Sequence, residues 1–149
     1  MPIRAVVYAS EAISRIAGGG LGQADGRLCA IIDDAARFNR DAGVTGVLLF
    51  DGERFLQYLE GPEDGLSVAY SRVVGARSHT ALVELQRGRV GNRRMPFWPM
   101  RWLPVQAQEL TQMARADWTS FFQRGDPTAP NAFGMDLLLG VVQKQVATC

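Results

Sequence analysis

Short β-like runs alternate along this chain with two longer stretches in which apolar residues recur at helical spacing. Residues 2 to 8, Pro-Ile-Arg-Ala-Val-Val-Tyr, are rich in β-branched side chains and give way to small polar ones, which predicts a first strand ending near Tyr8. Five glycines fall between positions 17 and 26, and a loop is expected there because each glycine inside a helix costs about 1 kcal/mol. From Arg27 to Asn39, Leu28, Ile31, Ile32, Ala35 and Phe38 form one stripe, with Asp33, Asp34 and Arg37 off it, as in an amphipathic helix. Val44 to Phe50 is an almost unbroken apolar run that predicts a central strand, and Asp51-Gly52 signals a hairpin returning over 53 to 60.

Gly61-Pro62 breaks that strand. Pro62 suits a first helical turn, and Glu63 and Asp64 suit the positive end of a helix dipole. Leu66, Val68, Ala69, Tyr70, Val73 and Val74 carry a second helix to about Gly75. Thr80 to Gln86 reads as a fourth strand, Arg87 to Arg94 as a connection, and Met95 to Leu103 as a fifth strand. Pro96 and Pro99 confine that fifth strand to an edge, because a central ladder needs every amide. The order β-α-β-β-α-β-β, with both helices on one face of a mixed sheet, is the ferredoxin-like form of the α+β class. Beyond Pro104, helices are expected at about 106 to 123 and 134 to 147, packed on the open sheet face or against a partner. The expected division is therefore a domain over 1–104 and a helical extension over 105–149, the latter too short for an output enzyme.

Composition narrows the functional classes. A formal charge of +1, with bases scattered among acids, supplies no one-signed surface for a phosphate backbone, so nucleic acid is not an expected partner. No window holds the ~20 apolar residues a membrane-spanning helix needs. Cys29 and Cys149 have neither metal spacing nor the look of a disulfide framework, which favours a reducing cytoplasm. His79 is the only histidine, so no His cluster for zinc exists, and a surface or capping role is its ordinary reading. The glycines at 17 to 22 lack the Lys-Ser/Thr of a phosphate loop, and Glu60 and Glu63 sit where turn and dipole roles explain them.

Four strings in order carry a more specific signal: Val-Val-Tyr-Ala-Ser at 6–10, Asn-Arg-Asp-Ala-Gly-Val-Thr-Gly at 39–46, Phe-Leu-Gln-Tyr-Leu-Glu-Gly-Pro at 55–62 and Phe-Trp-Pro-Met at 97–100. Together they resemble the BLUF family of blue-light sensors over about Ile3 to Leu103, with a lengthened loop after the first strand. The resemblance implies a non-covalent FAD between the two helices, with Tyr8 as the photoactive tyrosine and Gln57 as the switching glutamine. It implies Asn39 at the ring's carbonyl edge, Trp98 and Met100 as the responding pair, and Ile31 and Val73 as apolar walls. Ser10, Thr45, His79 and Arg94 are secondary candidates for cofactor contact. Phe38 and Ala35 depart from the polar residues common in the family, which implies weaker or differently tuned flavin contact.

The residues themselves suit that role. A neutral tyrosine hydrogen-bonded to an acceptor gives up electron and proton together and avoids an isolated buried charge. A glutamine amide has donors at one end and lone pairs at the other, so its rotation or tautomerisation reverses what its neighbours experience. Phe55, Gln57 and Leu59 share one strand face, which places that amide among apolar side chains. The expected function is a photosensor without catalytic output, signalling to a downstream protein or, as a homodimer or higher oligomer, to a second copy. The competing expectations are a ferredoxin-like flavin reductase or hydrolase, and a flavin-free interaction module.

Overall fold

The computed structural model describes residues 3–12, 20–75, 79–91, 93, 100–118 and 134–144. Strand β1 (Ile3–Ala12) leads to α1 (Gly20–Ala42), the hairpin strands β2 (Thr45–Phe50) and β3 (Arg54–Pro62), α2 (Glu63–Val74), β4 (His79–Gly91) and β5 (Trp102–Pro104). Helices α3 (Ala107–Ala114) and α4 (Gly134–Lys144) complete the described chain. The sheet order is β4-β1-β3-β2-β5, antiparallel throughout except for the β2–β5 pair. The ferredoxin-like α+β arrangement expected from the sequence is the one observed.

Strand alternation builds two cores. Even-numbered β1 and β2 residues and odd-numbered β3 residues meet α1 and α2, where Val6, Leu48, Phe50, Phe55 and Leu59 pack with Ile32, Leu66 and Ala69. The opposite face carries Ala5, Val7, Val47, Leu49, Leu56 and Tyr58, covered by Leu110 and Met113 of α3, Trp118, and Met135, Leu138 and Val141 of α4. The C-terminal helices thus lie on the open sheet face, the first of the two placements expected for them.

Several boundaries differ from expectation. Strand β1 runs to Ala12 rather than Tyr8, because β3 and β4 continue to pair with it on both sides. Helix α1 begins at Gly20, not Arg27, so part of the predicted glycine loop is helical. Helix growth adds one hydrogen bond per residue once nucleated, and that stretch holds no proline to stop it. Strand β4 extends to Gly91 through bulges against β1, beyond the predicted end at Gln86. Strand β5 is reduced to Trp102–Pro104 at the sheet edge, and residues 95 to 99 of the predicted fifth strand lie outside the described residues. Helix α3 closes at Ala114, where residues to 123 had been expected to continue it, and the remainder from 119 is likewise outside them. Pro62 caps α2 in extended conformation rather than entering its first turn.

Cys29 on α1 is disulfide-bonded, which corrects the expectation of unpaired cysteines; Cys149 lies outside the described residues. Among the described residues, no helix is long and apolar enough to cross a membrane, and no group of His, Cys, Asp and Glu is placed to hold a metal ion.

Candidate functional site

The helix-facing side of the sheet concentrates its polar groups at one place. Tyr8 on β1 and Gln57 on β3 are direct cross-strand partners, so both side chains rise from the same face. The Tyr8 hydroxyl donates to Gln57 Oε1, and the two residues are only 3% and 5% exposed. Gln57 Nε2 in turn donates to Met100 Sδ at 3.3 Å. Burial pushes the Tyr8 hydroxyl well above the ordinary phenol pKa, with the nearby Tyr70 phenol adding to the effect. Tyr8 is thus held as a neutral donor to the amide.

Histidine links this floor to the helix above it. His79 Nε2 lies 2.7 Å from the Val73 carbonyl oxygen, which only accepts, so this nitrogen carries the hydrogen and Nδ1, 2.7 Å from Ser10 Oγ, is left to accept from that hydroxyl. The ring ties the start of β4 to β1 and to the last turn of α2, the capping role that was its ordinary reading. Tyr8 stands 5.9 Å, centroid to centroid, from both Tyr70 and His79.

The walls come from the two helices. Ile31, Ala35 and Phe38 of α1 and Tyr70 and Val73 of α2 all pack against the core on this face. Asn39 is buried near the end of α1, where its carbonyl accepts the Val44 amide at 2.8 Å and helps turn the chain into β2. The guanidinium of Arg72 lies 4.2 Å over the Phe38 ring, joining α2 to α1 across the cleft. Gly65 sets how close the helices come: a Cβ there would lie 2.1 Å from the Ala42 carbonyl oxygen.

The structure therefore brings together Tyr8, Ser10, Gln57, His79 and Met100, with Ile31, Val73 and Asn39 on the flanking helices. It does not bring Thr45 to them. Thr45 pairs with Glu60 on the other sheet face, where its hydroxyl accepts from Arg93 at 2.9 Å. Trp98 and Arg94 lie outside the described residues. Sequence reasoning did not single out Tyr70 or Arg72 as site residues, although Tyr70 stood on the apolar stripe of α2. It also passed over Arg93, which donates to the Gly43 carbonyl at 2.6 Å as well as to Thr45.

The donor set fits a flavin. Among the described residues, the amide hydrogens of buried Gln57 meet only a thioether, a weak acceptor, so a ligand carbonyl would satisfy a donor that is costly to leave unpaired. Apolar side chains from both helices line the approach, as a flat aromatic ring requires.

A ferredoxin-like domain with a buried phenol–carboxamide pair beneath two helices has the architecture of a flavin-using photosensory module. The profile of BLUF, sensors of blue-light using FAD, matches residues 3–101, and the chain belongs to that family. It is 40% identical over 55 residues to the blue light- and temperature-regulated antirepressor BluF of Escherichia coli, covering 37% of this chain and 14% of that protein. Similarity to photoactivated adenylate cyclase subunit beta of Euglena longa is 32% over 82 residues, covering 55% of this chain and 9% of that one. The chain thus spans a small fraction of these two relatives. Among solved structures, the BlrP1 BLUF domain matches with a TM-score of 0.63 at 28% identity, covering 93% of this chain and 88% of that one.

Proposed function

We propose that this chain binds FAD between α1 and α2 and converts blue-light absorption into a hydrogen-bond rearrangement centred on Tyr8 and Gln57. The carrying observation is the buried hydrogen bond from Tyr8 to Gln57 Oε1, in a chain of a family described as blue-light sensors. A bound flavin supplies a strong one-electron oxidant on excitation. With flavin bound and excited, Tyr8 would be placed to give up an electron to the ring while its phenolic proton follows by way of the Gln57 amide to the same ring, so that no isolated charge is left buried, and both would return to the phenol as the cycle closes. Gln57 would answer by exchanging which end of its amide faces Tyr8, and the changed hydrogen bond at the flavin carbonyl would move the absorption to longer wavelength. Met100 gives up the amide hydrogen it accepts, and because Leu48 pairs with Trp102 on β5, the change reaches the strand that leads into α3.

In this reading Asn39 holds the ring's carbonyl edge, Ile31 and Val73 sandwich the ring, Ser10 and His79 fix Tyr8, and Trp98 and Arg94 complete the contacts. The receiver is a partner protein or a second copy of this chain docked against the C-terminal helices, acting in the cytoplasm. The named outputs of two relatives, an antirepressor and an adenylate cyclase, support a sensor whose receivers vary. The test is an absorption spectrum of the purified protein before and after blue light. A reversible red shift is expected, and Gln57→Ala should retain the flavin but lose the shift. A Gln57→Ala protein that photocycles with an undiminished shift would overturn the reading.

A further inference from the structure

Helix α1 ends in a turn that a residue from far along the chain holds in place. Beyond Ala42 the chain passes through Gly43, in the left-handed region at φ 74, and enters β2 at Thr45. The last carbonyls of a helix lack intrahelical partners, and that of Asn39 is met by the Val44 amide at 2.8 Å. One guanidinium brackets Val44. Arg93, just past β4, donates from Nη2 to the Gly43 carbonyl at 2.6 Å and from Nη1 to Thr45 Oγ1 at 2.9 Å. Gly61 of β3 presses on the same turn, for a Cβ there would lie 2.9 Å from the Gly43 carbonyl oxygen.

This clamp is charged and directional. Hydrogen bonds from an ionised donor are about twice as strong as neutral ones, and a guanidinium fork serves two acceptors in fixed directions where an ammonium is a point charge. A positive group beside the end of α1 also faces the negative end of the helix dipole. The Thr45 hydroxyl that accepts from Arg93 lies 3.5 Å from Oε2 of the fully buried Glu60, whose Oε1 accepts from the Tyr58 hydroxyl at 2.8 Å. Arg93 is thus built into a polar string that runs from the α1–β2 turn to β3, and nothing in the Tyr8–Gln57 chemistry uses it.

We infer that Arg93 is a positioning residue for flavin binding that acts through Asn39. By holding Gly43 and Thr45 it fixes the Val44 amide that anchors the last turn of α1, and with that turn the buried Asn39. The inference rests on the reading of Asn39 as the holder of the ring's carbonyl edge.

Titration of the full chain with FAD, followed by flavin fluorescence, tests it. Arg93→Gln should raise the Kd about tenfold, the worth of one charge-assisted hydrogen bond, and Arg93→Lys should recover part of the loss. Arg37→Gln, which removes an exposed α1 guanidinium 3.5 Å from Asp34, should bind like the parent. A residue that only stabilised the fold would weaken binding by the same factor with or without Asn39. In an Asn39→Ala background, Arg93→Gln should instead add about twofold or less. Hydrogen exchange of the flavin-free chain supplies a second readout. The Val44 amide should exchange faster in Arg93→Gln relative to the Leu48 amide, which bonds to the Arg101 carbonyl and reports global unfolding. Parent-like FAD affinity in Arg93→Gln, an undiminished tenfold loss in the Asn39→Ala background, or an unchanged Val44-to-Leu48 exchange ratio would overturn the inference and leave the photosensor reading standing. A parent chain that takes up no FAD would sink both.

Discussion

A phenol buried beside an amide oxygen keeps its proton far into alkaline solution. Burial raises the Tyr8 pKa well above 10.0, with Tyr70 adding to it, and burial followed by Glu84 raises that of Tyr70 less strongly. Above pH 10 the unfolded chain therefore holds fewer protons than the native one, and unfolding free energy falls as pH rises, by up to about 1.4 kcal/mol per pH unit for Tyr8 and by much less for Tyr70, which solvent screens. Below pH 10 both forms hold the phenolic protons and the contribution is complete. Urea unfolding from pH 9 to 11.5 should show this loss, and Tyr8→Phe should flatten it, leaving a residual slope from Tyr70. An unchanged slope in Tyr8→Phe would mean the hydroxyl is not buried as described. Tyr8, Gln57 and Met100 were legible in the sequence because short strings around them recur in a recognisable order. Thr45 was misplaced for a plain geometric reason: Gly46 and Leu48 pair with Leu59 and Gln57, so position 45 has to face the other way.

Elements were legible in kind and less so in length. Strands β1 to β4 and helices α1 and α2 follow from the residue pattern, while β5 shares only Trp102 and Leu103 with its predicted span, and β1 and β4 exceed their predicted ends because each residue's pairing is decided by the neighbouring strand rather than by its own side chain. The same holds for Ala81, which adopts φ 55 within β4, a left-handed conformation that its sequence neighbours do not announce. Helix separation is likewise set by one atom that composition cannot reveal. Gly65 lets α2 rest against the C-terminal end of α1, and a methyl group there meets the Ala42 carbonyl oxygen, backbone that moves only with the helix. Gly65→Ala should cost about 1–3 kcal/mol of stability in urea and splay the cleft that Phe38 and Arg72 close. Flavin affinity should fall with it, read by fluorescence on dilution of the reconstituted protein. Wild-type stability and affinity in Gly65→Ala would show that the helices do not approach as closely as this.

Across the whole molecule the sheet acts as a partition with chemistry on one side and a second core on the other. Gln57 points to α1 and α2, while Leu56 and Tyr58, its immediate neighbours in β3, point to α3 and α4. A backbone shift at Gln57 is therefore felt at once by side chains packed under the C-terminal helices, and close packing passes it on. Leu138 of α4, fully buried in that second core, separates the two faces experimentally. Leu138→Ala should lower unfolding free energy by about 2–5 kcal/mol, the usual range for a buried leucine. Its dark flavin spectrum should nevertheless match the parent's, because Tyr8, Gln57 and Met100 keep their contacts on the other face. What should change is the light-induced difference in α3 and α4, read as hydrogen-exchange protection before and after illumination, which loosened packing would blunt. A parent-like protection change in Leu138→Ala would remove the packing beneath α4 from the route and leave the Leu48–Trp102 pairing to β5 as the path from Gln57.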